Sequence, residues 1–209
     1  MQKSDSSNAF VFLLGTAGNT NTQLSSPRGI AFDPNTDAFY VSEAVNNRVM
    51  RYRRNSTVGT LVAGGNGNGT GNTQLSSPRG LYYDSSTNSL VIANAAANNV
   101  VRWVIGASSW TLMAGNLNGT PGSNSMTFEG PWDVTFDPLG NMYVADRFNH
   151  RVQFFRPGEM NGTTIAGATN LVGTSATRFN EPISVAVDSQ LDVYVADLWN
   201  NRVQKFSRY

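Results

Sequence analysis

Short alternating apolar runs separated by polar turns fill this chain, and the clearest set lies at Glu181–Phe206, EPISVAVDSQLDVYVADLWNNRVQKF. In ISVAVD the residues Ile183, Val185 and Val187 share one face while Ser184 and Ala186 share the other, the period of a β-strand. An Asp closes that run, DVYVAD follows, LWNN makes a turn, and RVQKF forms a third run. The same order opens at Pro27, Pro78, Pro131 and Pro182, with the first run closed by Asp33, Asp84, Asp137 and Asp188, so the copies stand 51–53 residues apart. Between copies lie TLVAGG, TLMAGN and TTIAGA, each a further short strand, followed by loops rich in Gly, Asn and Thr. No window carries a helical stripe.

A period of this size is that of a propeller blade. A lone four-stranded meander cannot bury both of its faces, whereas meanders packed radially around an axis can. The expected fold is therefore all-β: a β-propeller of four-stranded antiparallel blades, with residues 1–8 a disordered N-terminus and 9–209 a single domain. The fourth copy has three of its strands, and the apolar run Ala9–Leu14 is a candidate for the missing one. Pairing beside Val203–Phe206 would close the ring; the alternative is a partial ring from a larger propeller.

The pattern P-x-G-[IL]-x-x-D, then YVAD, then N-[NH]-R-V resembles the NHL repeat and recurs along nearly the whole chain. Copies three and four match it from Pro131 through Val152 and from Pro182 through Val203. Copies one and two depart from it, with Glu43 and Asn94 in place of the Asp after the second strand and Val100 read at the position of the Arg. Family propellers more often have six blades, so four copies is a further departure. The resemblance implies a propeller that binds protein, RNA or another ligand, often as one domain of a larger protein.

Two Asp/Arg pairs, Asp146 with Arg151 and Asp197 with Arg202, sit where the second strand hands over to the third. A carboxylate gripped by a guanidinium is directional and suits a repeated corner, and a carboxylate so locked is a poor proton shuttle, so both pairs are expected to be structural. Meander geometry makes a different prediction for the residues that vary. The loops entering the first strand and the hairpins after the second fall at the same end of the ring, which gathers Arg28, Arg79, Trp132, Arg147, Phe148 and Trp199 there. Arginines and large aromatics are the side chains that supply contact energy, and this mouth is the expected ligand face. A protein or peptide is the expected partner. Single-stranded RNA is the alternative, with the arginines on phosphate and Trp132 and Phe148 stacking on bases.

Composition narrows the chemistry. The formal net charge is +1, which gives no global attraction to nucleic acid or to an anionic membrane. There is no cysteine, so disulfides, thiolate catalysis and Cys-ligated zinc are excluded, and a cytoplasmic location is favoured, with an extracellular one as the alternative if the chain is a fragment that has lost a signal peptide. The single histidine, His150, cannot support a metal site that needs two imidazoles. No catalytic residue, metal or cofactor is assigned, and the chain reads as a recognition scaffold rather than an enzyme. A propeller lyase or lactonase-like enzyme is the remaining alternative, with Glu43 and Asn94 its weak candidates. No apolar run approaches the roughly 18–20 residues needed to span a membrane.

Overall fold

The computed structural model describes residues 16–207, which build fifteen strands in four antiparallel sheets arranged as the blades of a β-propeller. Blade 1 is β1 (Pro27–Asp33), β2 (Ala38–Glu43), β3 (Arg48–Arg53) and β4 (Thr60–Gly64). Blade 2 is β5 (Pro78–Asp84), β6 (Ser89–Asn94), β7 (Asn99–Val104) and β8 (Thr111–Gly115). Blade 3 is β9 (Pro131–Phe136), β10 (Met142–Asp146), β11 (Arg151–Phe155) and β12 (Thr163–Gly167). Blade 4 contributes β13 (Pro182–Val187), β14 (Val193–Asp197) and β15 (Arg202–Phe206). Each sheet is an ordered meander, and the first strands lie side by side, β1 against β5, β5 against β9, and β9 against β13. Among the described residues the helical content is three single 3-10 turns, at Ala95–Ala97, Arg147–Asn149 and Leu198–Asn200, inside the hairpins that join second to third strands.

The period-2 pattern explains the packing. Along β6, Leu90 and Ile92 enter the core with Tyr40, Trp103 and Trp110, between blades 1 and 2. The intervening Val91 and Ala93 enter the core with Phe128, Met142 and Phe155, between blades 2 and 3. One strand thus feeds two interfaces, and every residue of β6 is buried. Tyr143, Phe179, Val195 and Phe206 build the third interface, between blades 3 and 4. Full burial of a large apolar side chain contributes about 1.5–3 kcal/mol, so these inter-blade layers carry the fold.

Polar side chains fix the corners. Asp33, Asp84, Asp137 and Asp188 each accept the backbone N–H two residues on, at 2.9–3.0 Å, and so shape the turn into the second strand. Burial works against the Asp137 charge, but hydrogen bonds from Asn141, Tyr143 and the Leu139 N–H outweigh it and hold that carboxyl below 3.8. Blades are also stitched to each other through a left-handed residue in each hairpin. The Asn47 side chain accepts the Ser77 N–H, that of Asn98 accepts the Gly130 N–H, and His150 Nδ1 accepts the Glu181 N–H at 3.1 Å. His150 is therefore a loop-bonding residue standing where other copies have Asn. Among the described residues the fourth such bond, between Asn201 and Ser26, is not made, and Ile30 and Phe32 on β1 and Val203 on β15 stay exposed. The strand expected to close the ring, Ala9–Leu14, lies outside the described residues.

The Asp/Arg pairs are structural elements of the hairpin, as their spacing suggests. Glu43 faces Arg48, Asp146 faces Arg151 and Asp197 faces Arg202 across the second and third strands, with ion pairs of 2.7, 2.8 and 2.9 Å. Each guanidinium also reaches the loop that enters its own blade. Arg151 donates to the carbonyls of Ser123, Asn124 and Thr127, and Arg202 to those of Thr174, Ser175 and Arg178. The carboxylates meanwhile accept the loop N–H groups of Ser25, Glu129 and Asn180. Burial pushes the Asp146 carboxyl up to about 6, opposed by the Asn149 hydrogen bond and the Arg151 charge.

Blade 2 corrects one assignment. The strand register places Asn99, not Val100, at the arginine position, because Asn94 faces Asn99. The two side chains share a 3.1 Å hydrogen bond, and Asn94 still accepts the Ser76 N–H. One of the loop bonds left by the missing guanidinium is made by Trp110. Its indole N–H donates to the Gln74 carbonyl at 2.8 Å, the position that corresponds to the Thr127 and Arg178 carbonyls served by Arg151 and Arg202. Blades 1 and 3 have Gly59 and Gly162 where blade 2 has Trp110, packed flat against the rings of Tyr52 and Phe155. Loss of the ion pair and gain of a buried tryptophan are thus one exchange.

Candidate ligand face at the axial mouth

The entering strands bring their second residues, Arg28, Arg79, Trp132 and Ile183, around one groove of about 440 Å³ at the axis. Glycine at two third positions permits this. A Cβ on Gly29 would lie 2.2 Å from the Arg79 carbonyl oxygen, and one on Gly80 would lie 2.3 Å from Asp133 Oδ1. Neighbouring blades therefore approach until their backbones nearly touch, and Arg28 and Arg79 are held close together.

Arg79 lies with its guanidinium carbon 3.6 Å from the centroid of the Trp132 ring, and Arg147 lies 4.0 Å from the same centroid. Two like-charged planar groups that close cannot share one ring face, so Trp132 is sandwiched between them. Arg147 also lies 4.6 Å from the Phe148 ring centroid. Its Nε and Nη2 both donate to Glu181 Oε2, and the Trp199 indole N–H donates to the same oxygen at 2.8 Å. Burial raises the Glu181 carboxyl, but hydrogen bonds from Trp199 and Arg147 and the Arg147 charge outweigh it and hold the group below 4.5. Arg79, Trp132, Arg147, Phe148, Glu181 and Trp199 form one continuous contact chain over blades 2 to 4.

Every residue expected at the mouth is there. Five of the six are joined in this chain, and Arg28, which is exposed, lines the groove beside it. Phe148 is 43% exposed and Trp199 61%, so the outer end of the chain presents aromatic surface to solvent. Two members escaped the sequence reading. Glu181 occupies the left-handed position before the opening proline, filled by Ser26, Ser77 and Gly130 in the other copies. A glutamate at a position of φ 58° is unusual, and that was the available signal. Asp133 was the other, lining the groove where other copies carry glycine or serine. Its carboxylate accepts from the Ser184 hydroxyl and the Val185 N–H, and burial pushes its pKa up against those bonds.

A second groove, about 640 Å³, lies between blades 3 and 4 and is lined by Tyr143, Phe154, Ile165 and Phe206. Gln204, Lys205 and Phe206 of β15 form part of its wall, and it holds none of the mouth residues. Among the described residues no three His, Asp or Glu side chains cluster as a metal site would require, and no helix is long and apolar enough to cross a membrane.

The sheets and their axis define a β-propeller. The NHL repeat family pattern matches residues 128–155 and 179–206, which are the bodies of blades 3 and 4. The chain is 33% identical over 135 residues to NHL repeat-containing protein 2 of Bos taurus, covering 59% of this chain and 18% of that protein. Among solved structures, a protein of unknown function from Bacteroides thetaiotaomicron aligns with TM-score 0.71 at 17% identity, over 88% of this chain and 49% of that one. A gluconolactonase from Xanthomonas campestris aligns with TM-score 0.68 at 14% identity, over 90% of this chain and 60% of that one. At such identities these structures share the fold. The chain spans about a fifth of the length of the relative it matches and about half that of the solved structures.

Proposed function

We propose that this chain is a non-catalytic recognition module that binds a protein or peptide partner through the axial mouth. The observation that supports it is the contact chain itself. Residues that differ between repeats meet on one face, while residues that recur are consumed in holding the blades together. Aromatic and arginine side chains held in place by each other lose little freedom on binding, which is the property of an interface anchor.

The same geometry weighs against the RNA reading. Both faces of Trp132 are covered by guanidinium groups, and Arg147 is neutralised by Glu181. That ring cannot take a stacked base without dismantling the cluster. As for catalysis, Glu43 is committed to Arg48, Asn46 and the Ser25 N–H, and Asn94 to Asn99 and the Ser76 N–H, so neither is positioned for chemistry at the axis.

The test is a pull-down from the source cell extract with wild type and with Trp132→Ala plus Trp199→Ala. The double variant is expected to lose the captured partner by at least about tenfold, since interface aromatics commonly contribute 2 kcal/mol or more each. Its melting temperature is expected to stay within a few degrees of wild type, because the frame is untouched. Unchanged capture by the folded double variant would refute the assignment.

A further inference from the structure

The recognition reading leaves one feature of the mouth unexplained. Arg147 is paired with Glu181, but among the described residues Arg79 has no ion-pair or hydrogen-bond partner for its guanidinium. Its Nε and Nη1 are buried, and no protein group accepts a hydrogen bond from either. Burial, together with Arg28 and Arg147 nearby, pulls its pKa down to about 10. Arg28, across the groove, forms no ion pair among the described residues. Among the described residues the one carboxylate lining the groove is that of Asp133, and its oxygens are occupied by the Ser184 hydroxyl and by the Val185 and Val134 N–H groups.

A buried cation with unmet donors is costly in a fold that has no need of it. The fold does not use the Arg79 side chain as a strut in the way it uses Arg48, Arg151 and Arg202. Its one close partner is the Trp132 ring, against which the guanidinium lies at 3.6 Å, and the side chain lines the groove. Such an arrangement is ready to receive an anion and gains from receiving one.

We infer that the axial groove is a carboxylate-binding site, in which Arg79, assisted by Arg28, takes the C-terminal or side-chain carboxylate of a peptide. This deepens the recognition reading and rests on it. A carboxylate fits better than a phosphate because Asp133 lines the same groove and repels a dianion more strongly than a monoanion. The apolar wall supplied by Ile183 and Trp132 suits the carbon skeleton that a carboxylate brings with it.

The site is tested by titrating the full chain with sodium acetate, with inorganic phosphate, and with one short peptide made both as free acid and as C-terminal amide. The readouts are the Arg79 Nε–H and Trp132 indole resonances and the melting temperature. Acetate and the free acid are expected to shift those resonances saturably, while the amide is not. In Arg79→Gln the Trp132 response to the free acid is expected to weaken about tenfold or more, from loss of a charged hydrogen bond. That variant, free of ligand, is expected to melt within a few degrees of wild type, because loss of the stack on Trp132 is offset by relief of a buried cation with unmet donors.

An unaltered acetate response in Arg79→Gln overturns the proposal. So does a large drop in its ligand-free melting temperature, which would make the guanidinium structural. A phosphate response stronger than that of the free acid overturns the carboxylate assignment. Loss of the captured partner in the Trp132/Trp199 double variant, with retention in Arg79→Gln, would remove the anion site and leave the recognition surface standing.

Discussion

Replacing Arg151 with alanine is expected to destabilise the protein by about 3–5 kcal/mol, the usual cost of removing one partner from a buried ion pair. The side chain is 2% exposed and makes five hydrogen bonds, to Asp146, three loop carbonyls and Thr169. Alanine leaves the Asp146 carboxylate buried and the Ser123, Asn124 and Thr127 carbonyls without their donor. The loss should appear as a lowered urea midpoint with no change in slope. Asp146→Asn combined with Arg151→Asn is expected to cost less than Arg151→Ala alone, since it copies the neutral pair of blade 2 and strands no charge. If the single variant lost less than about 1 kcal/mol, a surface-pair value, the corner would not be a keystone of the blade.

The second large effect is expected at Trp110. Trp110→Ala should cost about 3–5 kcal/mol, the range for deleting a buried large aromatic. The side chain is 4% exposed, packs in the layer between blades 1 and 2, and supplies the donor for the Gln74 carbonyl. The corresponding residues in blades 1 and 3 are already glycine, so a small residue is tolerated there only where an arginine spans the corner. Trp110→Phe should fall between wild type and alanine, retaining much of the volume and losing the indole bond. Calorimetric unfolding of the two variants measures both contributions.

These two sites also show what the chain discloses on reading and what it withholds. The strands and their order followed from alternation, turn residues and the spacing of the prolines and the closing Asp residues, because a repeated unit states its register several times. The mouth residues followed from meander geometry alone, without knowledge of any side-chain position. Asn99 was misplaced by one residue in favour of Val100, because Asn98 and Asn99 both suit a turn and only the pairing with Asn94 separates them. Trp110 was passed over since its meaning depends on an arginine missing eleven residues earlier, a relation that exists only across the folded corner. Glu181 lay hidden at a position where the other copies hold small residues. Its role comes from meeting Arg147 and Trp199, which lie 34 residues before it and 18 after.

The division of labour follows from the repeats. Asp33, Asp84, Asp137 and Asp188 recur and shape turns; Glu43 with Arg48, Asp146 with Arg151 and Asp197 with Arg202 recur and lock corners. Arg28 and Arg79 give way to Trp132 and Ile183 in the later copies, and the four share the axis. A constant frame that holds three kinds of side chain around one groove is suited to recognition, which is why the proposal places the partner there.

The most direct measurement is hydrogen–deuterium exchange of the full chain alone and with its captured partner. The account expects protection to concentrate in the segments at the mouth, around residues 27–30, 78–81, 130–133, 147–149, 181–184 and 198–200, with the turns between first and second strands after Asp33, Asp84, Asp137 and Asp188 unaffected. Protection confined to those turns, or to the outer edge at β15, with the mouth unchanged, would contradict it.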